Sequence, residues 1–206
     1  MPKGKRLGRK FFADSSLCVA PKVLNKLLVA ADGRAGRIIE VEAYRGAQDP
    51  ASHAFRGRTA RNQAMFKPGG HLYVYFSYGT HWCANLVCGP EEEAQAVLLR
   101  ALEPVRGIEA MRKARWTTQA KRSDLDLCRG PGRLCQAMGI DRTFDGLDLT
   151  APGAPLWVED DGTRPPAGVV VGPRVGISVA TDLPWRFSVE GHPGVSRSVI
   201  RKRAEM

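Results

Sequence analysis

Long apolar runs are missing from this sequence: no window approaches the length a helix needs to cross a bilayer. The basic start, Met1-Pro2-Lys3-Gly4-Lys5-Arg6, is not followed by the apolar segment of a signal peptide either. These absences argue against a membrane or secreted protein and for a reducing, cytoplasmic setting. Cysteine is scarce, five residues at 18, 83, 88, 128 and 135, with no C-x-x-C pair and no Cys/His grouping at zinc-ligand spacing. They read as reduced thiols, the odd number arguing against a disulfide framework. Acidic residues are in deficit, 21 against 31 Lys and Arg, which leaves a formal net charge of +10 on 206 residues. That imbalance suggests a polyanionic partner, although a basic surface serving only solubility has the same signature. Aromatic residues make up only 7%, and the four tyrosines all fall between positions 44 and 78.

What is present suits one globular domain. Hydrophobic residues reach 43%, enough for a substantial core, and the chain shows no repeat or low-complexity tract. Residues 1–10 hold five basic residues and no acidic one, so they read as a flexible basic arm, with 11–206 as the domain. Apolar spacing predicts a helix over about 20–28, ended by Gly33 and Gly36. Arg37–Tyr44 reads as a strand whose alternation sends Ile39, Val41 and Ala43 one way and Glu40, Glu42 and Tyr44 the other. A loop rich in turn formers follows, Gly46–Gly57. Then come two strands, His71–Tyr78 and His81–Val87, joined by Gly79-Thr80 into a projecting hairpin. Val97–Leu102 reads as a strand closed by Pro104, and Val105–Arg115 as a helix. A second helix opens at Pro131 and closes at Gly139, and Trp157-Val158, Val169–Val171 and Val175–Ile177 read as strands. The order predicts an α+β fold, a single mixed domain with a curved, largely antiparallel sheet and surrounding helices.

Two segments concentrate unusual side chains: Glu40-Val41-Glu42-Ala43-Tyr44 and Tyr73-Val74-Tyr75-Phe76-Ser77-Tyr78-Gly79. Strand periodicity places Tyr73 and Tyr75 on one face, while Tyr78 falls at the hairpin tip, where an aromatic ring has few core partners. On a basic protein such a tip suits a wedge between base steps of a duplex. The competing reading is that tyrosines simply fill a half-buried sheet, and for Tyr73 that reading is preferred.

The full pattern is more specific. Glu40–Gly46, Asp49-Pro50-Ala51-Ser52-His53-Ala54-Phe55-Arg56-Gly57, Arg61-Asn62 with Met65-Phe66, and Tyr73–Gly79 closely resemble the alkyladenine (3-methyladenine) DNA glycosylase family. Cys83-Ala84-Asn85, Val97–Pro104, Gly130–Ala137 and Arg174-Val175-Gly176 continue the resemblance in the same order, from about residue 10 to about 198.

The resemblance implies that Glu42 binds and deprotonates the attacking water, with Arg100 and the Val175 backbone carbonyl helping to hold it. Tyr44 would stack on one face of an extruded base and His53 and Tyr75 on the other. Asn85 would reject guanine through its exocyclic amine, and Tyr78 would fill the gap in the stack. Damaged double-stranded DNA is the implied partner, no membrane is, and a monomer suffices. No lysine stands at a candidate position, so water rather than a Schiff base is expected, with no cofactor and no metal. Plainer roles stay open: a structural hydrogen bond for His53, an ion pair for Arg100, a buried backbone group satisfied by Asn85, and an exposed strand carboxylate at Glu40 or Glu42. Arg133 and the amides near Pro131 bind a DNA phosphate at a helix N-terminus, or Pro131 only starts the helix. His81, where mammalian members carry an aromatic, and the acidic turn Gly89–Glu93 resemble bacterial members and imply a nucleoid-associated protein of the bacterial cytoplasm. A non-catalytic sensor of distorted duplexes and an RNA-acting member of the same fold are the alternatives.

Overall fold

Short runs of apolar and β-branched residues broken by glycine dominate the chain, and they fold mostly as strands. The computed structural model describes residues 4–116 and 123–196. In chain order these form β1 (Lys5–Arg6), α1 (Arg9–Phe12), α2 (Ser16–Val23), β2 (Leu27–Ala30), β3 (Ala35–Arg45), β4 (Leu72–Ser77), β5 (His81–Cys88), β6 (Gln95–Arg106), α3 (Ile108–Arg115), α4 (Pro131–Met138), β7 (Leu156–Asp160), β8 (Val169–Gly172) and β9 (Arg186–Val189). Every strand pair is antiparallel, in the order β1-β7-β2-β3-β6-β5-β4. β3 is the hub. It pairs along its length with β6, at its start with β2 (Arg37 opposite Leu27), and further on with β9 (Val41 opposite Phe187), which carries β8 on its outer side. This is the expected α+β domain with a curled antiparallel sheet.

The helices close one side of the sheet. α2 packs on β3, α4 on β5, and α3 on α4. Ile38, Leu86, Leu99, Leu102, Met111 and Leu134 meet in the resulting core, all without accessible surface. Burying a side chain of this size contributes about 1.5–3 kcal/mol each. α4 shows its punctuation clearly: Pro131 stands in its first turn, and Gly139 caps its end in the left-handed region at φ 70°.

Several boundaries differ from the sequence reading, each for a tertiary reason. Residues 5–10 are not loose: β1 pairs with β7, and Arg9 hydrogen-bonds Asp148, Thr150 and the Gly69 carbonyl. The helix expected over 20–28 is α2, ending at Val23, because Leu27 and Leu28 are claimed as β2 by strands on both sides. Gly33 therefore belongs to the turn between β2 and β3. β6 runs through Pro104 to Arg106, since Pro104 sits opposite Gly36, where the register shifts and an amide is dispensable. α3 starts at Ile108 rather than Val105, after Gly107 in the left-handed region. Val175–Ile177 is an irregular loop, not a strand.

Candidate active site

A double irregularity between β3 and β6 aims the charged side chains. Ile38 pairs with Leu102, Glu40 with Ala101 and Val41 with Leu99, so Ile39 and Arg100 are each left without an opposite residue. Bulges re-aim side chains in this way. Here Ile38 joins Val41 and Ala43 in the main core, correcting the expectation for Ile39, which packs near Gly194 instead. Glu40, Glu42 and Arg100 converge. Both carboxylates are fully buried, so neither is the exposed strand carboxylate that the sequence alone allowed.

Their partners separate them. Arg100 Nε donates to Glu40 Oε1 at 3.0 Å, its Nη1 lies 3.1 Å from Glu42 Oε1, and its Nη2 donates to the Ser196 hydroxyl at 3.2 Å. Glu40 also receives Arg186 Nη1 at 3.2 Å and both the amide and the hydroxyl of Ser196, at 2.7 and 2.9 Å. Glu42 has fewer: the Val175 amide donates to Oε1 at 2.7 Å, and the Tyr44 hydroxyl donates to Oε2 at 3.0 Å. Burial pushes the Glu42 carboxyl up, opposed by the Arg100 guanidinium and by these two hydrogen bonds. Glu42 is thus a carboxylate held by one cation in a nearly dry setting.

A cleft of about 690 Å³ lies against this cluster. Tyr44, His53, Tyr75, Tyr78, Asn85, Arg100 and Val175 all line it. Glu42 has no accessible surface and meets the cleft through Tyr44, Arg100 and Val175, each bonded to it. The Val175 contact is its amide, where the resemblance had implied a role for its carbonyl.

Within the cleft lining the aromatic rings interlock. His53 Nδ1 is 2.9 Å from the Tyr73 hydroxyl, its ring meets Tyr75 edge-on at 4.4 Å, and Tyr75 stacks on Tyr73 at 5.5 Å. Burial, with Arg61 nearby, lowers the His53 pKa, so its ring is neutral at physiological pH. Burial likewise raises the Tyr73, Tyr75 and Cys83 groups and keeps them protonated. Asn62, buried, ties the His53 and Gly57 carbonyls together and holds this loop in shape.

Tyr73 is buried, as preferred, and Asn85 Nδ2 donates to its carbonyl at 3.2 Å, so Asn85 both satisfies a backbone group and lines the cleft. Tyr78 occupies the tip between β4 and β5, 82% exposed, at φ 50°, with its hydroxyl 3.3 Å from the Gly176 carbonyl. Arg133 is exposed on α4 and does not line the cleft, whereas Pro131 does. Gly132 touches the His81 ring so closely that a Cβ there would sit 2.5 Å from it.

Sequence reasoning missed Ser196 and the pair Asp49 and Arg174, whose side chains are fully buried and bonded to each other beneath Tyr44. Asp49 and Arg174 stand inside segments that carry the family resemblance, but only burial distinguishes their side chains from ordinary surface charges. All five cysteines are free thiols, Cys18 exposed and the rest buried. Among the described residues, no group of three or more His, Cys, Asp or Glu could hold a metal, and no helix is long and apolar enough to cross a membrane.

A buried carboxylate with a guanidinium partner, set against an aromatic cleft on a basic protein, is compatible with the class of enzymes that includes DNA glycosylases. The chain belongs to the methylpurine-DNA glycosylase family, whose profile matches residues 10–193. Relatives provisionally named 3-methyladenine DNA glycosylases include one from Burkholderia lata, 57% identical over 199 residues, covering 97% of this chain and 95% of the relative. A Streptomyces avermitilis protein of the same name is 49% identical over 200 residues, covering 95% and 92%, and one from Agrobacterium fabrum is 48% identical over 193, covering 92% and 91%.

Proposed function

We propose that the protein is a monofunctional glycosylase that extrudes alkylated or deaminated purines from duplex DNA, the 3-methyladenine, 7-methylguanine, hypoxanthine and ethenoadenine class. It hydrolyses the N-glycosidic bond with water activated by Glu42 and so initiates base excision repair. One observation carries this reading: the buried Glu42 carboxylate, 3.1 Å from Arg100 Nη1, adjoins a cleft walled by Tyr44, His53 and Tyr75.

A stacked base hides its glycosidic bond, and extruding it costs about a few kcal/mol. Stacking on aromatic walls returns about 1–3 kcal/mol per base–ring contact, so the cleft can hold a base that is already weakly paired. In this reading Tyr44 stacks on one face of the base and His53 with Tyr75 on the other; all three line the cleft. A cationic alkylated purine is a good leaving group and stacks well on neutral rings, and the neutral state of His53 avoids repelling it.

At C1′ the water replaces one of the groups now bonded to Glu42, gives its proton to the carboxylate, and attacks as the base departs with the bonding pair. General-base help of this kind is worth about 10²–10⁴-fold, and the anion also stabilises the cationic sugar as it forms. Arg100 fixes the carboxylate. No lysine is among the described residues lining the cleft, which supports hydrolysis over a Schiff-base route. Tyr78, projecting from the hairpin, enters the space the base vacates.

The test sets wild type beside Glu42→Gln on duplexes carrying a single 3-methyladenine, hypoxanthine or ethenoadenine. Wild type should leave an abasic site with the strand intact, while the variant should bind comparably and excise at least about 10²-fold more slowly. Full excision by Glu42→Gln would remove Glu42 from its role. Release of none of these bases by wild type would defeat the glycosylase reading, and lesion binding without turnover would leave the sensor.

A further inference from the structure

Behind Tyr44 lies an ion pair that the mechanism above does not use. Arg174 Nη2 donates to Asp49 Oδ1 at 2.8 Å, its Nη1 donates to the other carboxylate oxygen and, at 3.1 Å, to the Ala43 carbonyl, and neither partner has side-chain surface exposed to solvent. The Arg174 guanidinium lies 4.5 Å from the centre of the Tyr44 ring and 5.0 Å from that of Trp185, a cation between two aromatic faces. Asp49 in turn accepts the Ala51 amide at 3.0 Å and the Arg45 amide at 3.3 Å, and so shapes the loop that leads to His53. The residue after Arg174 is Val175, whose amide holds Glu42.

We propose that the Asp49–Arg174 pair is a positioning clasp: it joins the two loops that wall the cleft and fixes the Tyr44 ring and the Val175 amide against Glu42. The proposal rests on the assignment of Glu42 given above. Neither clasp residue touches the reacting atoms. Arg174 acts through Tyr44, whose ring it backs, and through Val175, its chain neighbour; Asp49 acts by orienting Arg174.

Geometry and charge make opposite predictions. Facing Glu42 are Arg100 from β6, Glu40 and Tyr44 from its own strand, the Val175 amide and Arg174 from the 173–179 loop, Tyr75 from β4 and Cys83 from β5; Arg186 of β9 lies opposite in register. Removing the Asp49 anion leaves Arg174 uncompensated, which through space alone stabilises the Glu42 anion and lowers its titration midpoint. Loosening the clasp does the reverse: the Val175 and Tyr44 hydrogen bonds weaken, and the midpoint rises. Arg174→Lys keeps the charge and loses the planar two-pronged grip, so charge alone predicts no change and the clasp again predicts a rise.

The experiment follows the Glu42 side-chain carboxyl by ¹³C NMR across pH, with the resonance assigned by its loss in Glu42→Gln, in wild type, Asp49→Asn and Arg174→Lys. Single-turnover excision of ethenoadenine is measured in parallel. The clasp predicts an upward midpoint shift on the order of one pH unit in both variants, with excision at neutral pH falling about tenfold. A downward shift in Asp49→Asn, or an unmoved midpoint in Arg174→Lys, overturns it. Arg174→Lys keeps the buried charge paired and gives the decisive midpoint even where Asp49→Asn fails to fold. Wild type that excises nothing defeats the proposed function, yet the NMR midpoints still decide the clasp.

Discussion

Glu40 and Glu42 sit two residues apart on one strand, equally buried, and differ only in what surrounds them. Two arginines and Ser196 meet Glu40, whereas Glu42 has one arginine, one amide and one hydroxyl. Because burial raises the Glu42 pKa, its activity and its stability should run in opposite directions over one pH window. On the proposed mechanism excision requires the ionised form, so the rate should climb with pH, the acid limb lying above the ordinary carboxylate range of about 4.3. A carboxyl whose pKa is higher folded than unfolded stabilises the fold fully below its unfolded value and loses that contribution as pH rises through its folded value. Glu42→Gln removes the loss while Arg100 keeps Glu40. Its melting temperature should therefore match wild type in acid and exceed it at neutral pH. Parallel melting curves that keep one constant offset across pH would contradict the raised pKa. At this scale the sequence was informative about residue type and motif: Glu42, Tyr44, His53 and Tyr75 were picked out by context, and seven of the predicted residues line one cleft. It gave Asp49 and Arg174 only as members of the resembling segments, without a role, and did not single out Ser196, because their roles depend on burial.

The elements that carry these residues are a bulged strand, a hairpin and an irregular loop. The hairpin was legible because glycine and threonine separate two strand-like runs, and Tyr78 sits at its tip as expected, held at φ 50°. The residue is 82% exposed and its hydroxyl donates one long bond, 3.3 Å, to the Gly176 carbonyl. Tyr78→Ala should thus leave the melting transition almost unmoved, within about 0.5 kcal/mol, as for most surface changes. Excision should instead suffer through extrusion: the fluorescence change of ethenoadenine on leaving the stack should shrink, while the pH profile stays in place. A shifted profile would assign Tyr78 to the chemistry. The β3–β6 bulge was not legible. Strict alternation put Ile39 with Val41, and the extra residue moved Ile38 into that core position and turned Arg100 toward the carboxylates. Bulges are two-strand properties, so one strand's sequence does not display them. The same reason explains Leu27 and Leu28, whose spacing continued a helix while β3 on one side and β7 on the other pair with them.

For the whole molecule the dominant quantity is the net charge of +10. If the basic surface meets a duplex, each phosphate contacted releases counterions, and affinity falls steeply with salt. With about four phosphates engaged, raising salt from about 50 to about 200 mM should weaken binding to an ethenoadenine duplex by roughly 10²-fold. Titrations over that range test it, and a salt-independent Kd would mean that the positive charge serves solubility alone. Sequence by itself determined the class: an α+β domain with an antiparallel sheet, a strongly positive net charge, and an ordered series of motifs that assigned the family. These are properties of composition and of local pattern, which survive without knowledge of any contact. Tertiary structure alone decided which of two neighbouring carboxylates keeps the fewer partners, which loops form the cleft walls, and that Asp49 and Arg174 join them. Those facts depend on register, on burial and on the meeting of segments about 125 residues apart, where the strength of a charge is set by the water it has lost.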